Sequence, residues 1–174
     1  MITRLRALVF VVALLLVVAV PVVAAGELSG AQHAGAELHD LNGNIVGWAQ
    51  FTEDADGTLH VNVQVSGLSA GLHGIHIHNT ADCTPPFSAA GGHHNPLGLH
   101  HGDHAGDLPN LIVNIAGRGH LEAMTDQATL SPSVISVFDA NGSALIIHAG
   151  TDDYVTDPSG NSGARIACGV IVAE

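Results

Sequence analysis

The chain has 174 residues, 47% hydrophobic, 3% aromatic and 11% charged, too apolar for a disordered tail and consistent with one compact domain. Four arginines and no lysine face 16 acidic residues, a formal net charge of -12 that argues against nucleic acid, whose phosphates need a basic face. Twenty-one glycines, scattered among short Val/Ile/Leu runs without a three-residue period, exclude collagen and favour a turn-rich β protein.

The N-terminus carries Arg4 and Arg6, an apolar run from Ala7 to Val20, then Pro21 and the small-residue stretch Val22 to Gly26. This layout predicts a secretory signal peptide over 1–25, followed by a linker over 26–35 and a single domain over 36–174. Left uncleaved, the same run would reach the span of a membrane anchor. Cleavage removes two arginines and no acid, which takes the net charge from -12 to -14 and leaves Arg118 and Arg165 as the fixed cations. A periplasmic or extracellular chain meets an oxidising compartment, so its two cysteines, Cys83 and Cys168, are expected to form one disulfide.

Beyond the linker, alternating or short apolar segments predict strands over Ile45–Phe51, Leu59–Val65, Gly74–His78, Leu111–Ile115, Val134–Phe138, Ala144–His148 and Ala164–Val172. Turn signals such as Asn42-Gly43, Asp56-Gly57 and Asn141-Gly142 separate them. The fold class read from this pattern is all-β: an antiparallel Greek-key sandwich or flattened barrel of about eight strands. Two long segments, 79–110 and 149–163, interrupt the strands beside histidine-bearing runs, and long ordered loops in a small β domain carry function.

Seven of the 13 histidines fall between His76 and His104. His76 and His78 alternate on a strand, so both imidazoles leave the same face and can reach one ion. His93 opens a turn, His101, His104 and Asp107 follow in a short loop, and His148 ends a strand. Four imidazoles from His76, His78, His93 and His148 suit tetragonal Cu(II), whereas three imidazoles and a carboxylate suit tetrahedral zinc. His33, His39, His60 and His120 lie outside this group and read as solvated; His94 and His100 are chain neighbours of ligands that point elsewhere. No Ser-His-Asp set, phosphate loop or carboxylate pair competes.

The segments Gly71-Leu-His73-Gly-Ile-His76-Ile-His78, Ala90-Gly-Gly-His93-His-Asn-Pro96, His104-Ala-Gly-Asp107 and Gly160-Asn-Ser-Gly-Ala-Arg165-Ile-Ala-Cys168-Gly resemble the copper,zinc superoxide dismutases, particularly the exported bacterial ones. The resemblance implies one copper per chain on His76, His78, His93 and His148, and one zinc on His93, shared as an imidazolate, with His101, His104 and Asp107. It implies further that Arg165 guides superoxide, that His93 handles a proton, that Asp152 hydrogen-bonds ligands of both metals, that Cys83 and Cys168 pair, and that His73 braces strands without binding metal. His101 is chosen over His100 because glycine follows this ligand in the family's motif, as Gly102 does here. The spacer before His104 is shorter than in relatives, and the loop after His148 lacks the lysines that line the channel in some of them. Superoxide is the implied substrate, a homodimer is one possible assembly, and the rival function is a copper-binding or copper-delivery protein, which would need the histidines but not Arg165.

Overall fold

The computed structural model describes residues 32–174; the segment read as a signal peptide and the first part of the linker lie outside them. Ten strands form one antiparallel sheet: β1 (Gln32–Asp40), β2 (Ile45–Glu53), β3 (Leu59–Ser66), β4 (Gly71–His73), β5 (Ile75–His78), β6 (Leu111–Val113), β7 (Arg118–Thr125), β8 (Ala144–His148), β9 (Arg165–Val170) and β10 (Val172–Ala173). Their order is β4-β6-β7-β3-β2-β1-β9-β8-β5, with β10 paired to β1. The two ends of this order, β4 and β5, follow one another in sequence and meet at Gly74, which donates to the Gly150 carbonyl and accepts from His148 N–H, both at 2.8 Å. The sheet therefore nearly closes on itself as a flattened barrel, which protects its edges.

Period-2 patterning places Leu38, Phe51, Leu59, Val63, Ile75, Ile77, Leu111, Leu145 and Ile147 inside the barrel, all at most 1% exposed. Each such side chain contributes about 1.5–3 kcal/mol by leaving water. The opposite parity is what matters for function. His76 and His78 on β5, and Ala144, Ile146 and His148 on β8, face outward, yet all five are buried because the segment between β5 and β6 folds over them. Under that cover a second apolar cluster forms from Phe87, Ala90, Ala144, Ile146 and Cys168. Cys83 is joined there to Cys168 with Cα atoms 5.6 Å apart, so the expected disulfide pins the long loop to β9. In the chain-entropy account, closing a loop of this length contributes about 4–5 kcal/mol.

Four features differ from the sequence reading, the smallest being β4, a three-residue strand that precedes the predicted Gly74–His78 run and pairs with β6. β1 begins at Gln32, so Gln32–Gly35, read as linker, belong to the sheet. β1 and β7 were invisible because their inward positions are mostly small: Ala34, Ala36 and Leu38 in one, Leu121 and Ala123 in the other. Conversely, 134–138 is not a strand. Val134 is 78% exposed, and the preceding turn is held by the buried Glu53 carboxylate, which accepts from Leu130 N–H and from the Ser131 backbone and hydroxyl. A single bridge between Thr129 and Ser136, with side-chain bonds from Ser133 and Ser136, takes the place of a ladder there. The long loops stand as expected, with a short 3-10 turn at Ser88–Ala90 in the first.

Candidate metal centre

The first loop returns along the free edge of β5 and pairs with it. His94 N–H donates to Ile77 O at 2.8 Å, Ile77 N–H to Gly106 O at 2.9 Å, and Asn79 N–H to Gly92 O at 3.0 Å. This pairing seats His93 and Asp107 next to His76 and His78, which no local pattern of the sequence dictates. From the other side, a register irregularity between Ile147 and His148 turns the last residue of β8 toward the same spot.

One ligand atom from each of His76, His78, His93 and His148 lies within 4.8 Å of the others, and the same holds for His93, His101, His104 and Asp107. Each histidine of the first group spends one nitrogen on an acceptor. His78 Nδ1 donates to Gly91 O at 3.0 Å, His148 Nδ1 to Gly163 O at 3.0 Å, and His76 Nε2 to Asp152 Oδ2 at 2.7 Å; His93 Nδ1 faces Asp107 Oδ1 at 2.8 Å. The remaining nitrogens, His76 Nδ1, His78 Nε2, His93 Nε2 and His148 Nε2, are buried without a hydrogen-bond partner. An orphaned buried polar atom costs about 1–3 kcal/mol, so four in one place fit a cation that all four would ligate. Four imidazoles without carboxylate or thiolate are a donor set for copper.

The second group meets on the other side of the His93 ring. His104 Nδ1 is 3.3 Å from both His93 Nδ1 and Asp107 Oδ1, and His101 Nδ1, another orphaned nitrogen, is 3.4 Å from Asp107 Oδ2. Three imidazoles and a carboxylate fit zinc. The short loop achieves this convergence by a tight turn: Asp103 N–H donates to His100 O, and Gly102 and His104 N–H both donate to Asp107 Oδ2, at 2.7 and 3.1 Å. Gly102 has φ +97°, and a Cβ there would come within 2.5 Å of the Tyr154 carbonyl.

Burial pushes the His78 imidazole down to about 2 and that of His148 to about 4 from an ordinary 6.5, against the pull of the carbonyls they donate to. His93 and His94 are lowered chiefly by burial as well. For Asp107, burial would raise the carboxyl, but bonds from His93 and Gly102 prevail and hold it below its usual range. These groups thus stay in the forms that ligate metals near neutrality. Because the folded imidazoles titrate below the unfolded ones, the unfolded chain binds more protons between those values. Stability of the metal-free protein from these groups is then intact above about pH 6.5 and falls as pH drops toward 4. The exposed His100, raised by Asp157, pulls the other way. Urea midpoints of stripped protein at pH 7.5 and 5.0 should show the lower value at pH 5.0; equal midpoints would contradict the burial argument.

Asp152 is 1% exposed and accepts from His76 Nε2 and from His101 Nε2 at 2.8 Å, so one carboxylate links the two groups. A side chain at Gly160 would strike that Asp152–His101 bond. His73 Nδ1 donates to the His148 carbonyl at 2.7 Å and Nε2 sits 2.9 Å from Ser69 O, a brace between strands. His94 is buried against Ile135 O, and the imidazole of His100 is 92% exposed and pairs with Asp157, so neither joins a ligand group. Arg165 reaches back to the first loop and donates to Phe87 O and Gly91 O. Together with His78, His93 and His148 it lines an open cleft of about 550 Å3. Two participants were missed in the sequence, Asn110 and Tyr154, which bond to Asp152; no spacing rule marks them.

The copper/zinc superoxide dismutase family model matches residues 45–171. The chain belongs to this family. It is 40% identical over 147 residues to a Cu-Zn superoxide dismutase of Aquifex aeolicus, covering 79% of this chain and 85% of that one. It is also 40% identical over 157 residues to the Cu-Zn superoxide dismutase of Deinococcus radiodurans, covering 79% and 83%. Among solved structures, a superoxide dismutase-like protein from Bacillus subtilis superposes with a TM-score of 0.75 at 39% identity over 79% of this chain and 97% of that chain. The Cu/Zn superoxide dismutase of Brucella abortus does so at 0.66 and 30% identity, over 79% and 98%.

The choice between His100 and His101 can be checked directly. His101→Ala should weaken zinc binding by about a hundredfold or more, beyond the range typical of groups that merely orient a ligand, while His100→Ala stays within about threefold. Zinc titration against a chromogenic chelator reads both, and the reverse ranking would show that His100 is the ligand.

Proposed function

We propose that this chain is a superoxide dismutase with copper held by His76, His78, His93 and His148 and zinc by His93, His101, His104 and Asp107. The family includes proteins named superoxide dismutase and one named superoxide dismutase-like, so the activity is argued from the ligands. The observation that carries it is the set of four orphaned imidazole nitrogens beside an open, arginine-lined cleft. Bound copper supplies reversible one-electron chemistry, through which two superoxide anions and two protons become O2 and hydrogen peroxide.

The chain's own residues do the rest. Arg165 presents the one fixed cation of the cleft lining, and its two bonds to loop carbonyls aim the guanidinium, so a small anion is drawn to the ligand cluster and oriented there. His93 faces the copper group with Nε2 and the zinc group with Nδ1, and with copper bound there Nε2 would be the atom to hold a proton and pass it to the peroxide product. His101, His104 and Asp107 fix the His93 ring from behind. Asp152 holds the tautomers of His76 and His101. A copper-delivery protein would have no use for a guanidinium aimed at the ligand cluster. The reading includes export to the periplasm or outside the cell, with residues 1–25 removed as a signal peptide.

Elemental analysis of purified protein with a superoxide-decay assay tests this. Activity should vanish on chelation and return with copper in proportion to copper bound. Full activity without copper, manganese or iron would sink it.

A further inference from the structure

We propose that Asn110 and Tyr154 form a clasp that positions Asp152, and that through it they set the orientations of His76 and His101 together. This rests on the reading of His76 as a copper ligand and His101 as a zinc ligand. Asp152 must serve two imidazoles from different parts of the chain, Oδ2 for His76 and Oδ1 for His101. A carboxylate shared in this way tolerates little rotation, because a swing that favours one ring pulls away from the other.

What fixes it is a closed ring of hydrogen bonds. The Asn110 side chain grips the Asp152 backbone at two points: Asp152 N–H donates to Asn110 Oδ1 at 2.9 Å, and Asn110 Nδ2 donates to Asp152 O at 2.9 Å. The Tyr154 hydroxyl accepts from Asn110 N–H and from the second hydrogen of Nδ2, both at 2.7 Å. Tyr154 N–H closes the ring by donating to Asp152 Oδ1 at 2.7 Å, the oxygen that also receives His101. Tyr154 adopts φ 62°, a left-handed conformation rare for a bulky side chain, and such residues persist where the surroundings over-determine them. Its carbonyl rests against Gly102, the neighbour of His101. Asn110 stands three residues after Asp107 at the end of the first loop, and Tyr154 stands in the second, so the ring joins both loops at the carboxylate that touches both ligand groups.

Neither residue touches a ligand atom of either group, so both are positioning residues and their effect must pass through Asp152. Tyr154→Phe deletes one oxygen, and Asn110→Ala deletes the two-point grip. Since groups that bond directly to a ligand are worth tenfold to a hundredfold in metal affinity, one step further out we expect the zinc Kd to rise about threefold in Tyr154→Phe and about tenfold in Asn110→Ala. In copper-loaded protein both should shift the Cu(II) electron paramagnetic resonance spectrum, because His76 turns with Asp152. Asp153→Ala is the comparison: it removes bonds to Val155, Thr156 and Asn161 inside the second loop and leaves the ring intact. It should lower the melting temperature while zinc Kd and copper spectrum stay at parental values.

If Asn110→Ala does not fold, Tyr154→Phe decides alone. Variants that bind zinc like the parent with an unchanged copper spectrum overturn the clasp, as does an Asp153→Ala protein that reproduces their changes, since loop order would then suffice. If the parent takes up neither ion, the metal-site reading fails and the clasp falls with it; a parent that loads both isolates the outcome to Asn110 and Tyr154.

Discussion

Replacing His148 by alanine is expected to abolish superoxide dismutation while leaving zinc bound. His148 supplies one of the four orphaned nitrogens and is not among the four residues of the zinc group. Loss of an outer partner of a ligand costs tenfold to a hundredfold, so loss of a ligand itself should lower copper-dependent activity on the order of a hundredfold or more. The imidazole points outward from the barrel, away from Leu145 and Ile147, so truncation opens no hole in the main core. Zinc content, melting temperature and turnover measured on one preparation separate these effects. Retained activity, or zinc lost in step with copper, would break the assignment of His148 to copper alone.

The second large effect is electrostatic. A body of formal charge -12, or -14 if residues 1–25 are removed as proposed, repels superoxide at a distance, over a range that salt cuts to about 10 Å at 0.1 M, while Arg165 attracts it at close quarters. At about 6 Å a unit pair is worth roughly 0.7 kcal/mol at ε near 80 and about 2.8 kcal/mol at ε near 20. Arg165→Ala should therefore lower kcat/KM by between about threefold and a hundredfold. Because Arg165 also ties Phe87 and Gly91, the variant loses a fastening as well as a charge, and Arg165→Lys distinguishes them by keeping the charge without the two-point grip. With the local attraction gone, the remaining field is repulsive, so the alanine variant's rate should hold or rise with added salt where the parent's falls or gains less. Parallel salt curves, or a loss below twofold, would show that Arg165 does not steer the anion.

Much of this was legible in the chain because it is local. Alternation exposes His76 and His78 on one face, and a strand ends at His148. The turn at Gly102 lets His101 and His104 converge despite the short spacer. What brings His93 and Asp107 to that face is pairing of a loop with the β5 edge, a contact between segments that leaves no periodic trace. Strands built on alanine, such as β1, are silent for a related reason: period-2 reading weighs bulk, and Ala34 and Ala36 have little. Val134–Phe138 fails in the opposite sense, since the Ser133 and Ser136 hydroxyls accept from Ile135 and Phe138 N–H in place of a strand partner. Asn110 and Tyr154 were out of reach because their roles lie in the residue they hold.

The placement of the ligands on the outer surface of the barrel separates two histories for the chain. The strand residues of the main interior cluster, from Leu38 and Phe51 to Ile75 and Ile147, pack on one another across the barrel, while every ligand lies on the far side of the sheet or in the loops covering it, from which Ala105 and Leu108 join the cluster beside His104 and Asp107. The strands can thus pack without the ions, and the open cleft at Arg165 exposes His78, His93, His104 and His148 from the covered side. By the same division, descendants of this architecture could lose or exchange their chemistry by altering the covering loops while inheriting the barrel unchanged.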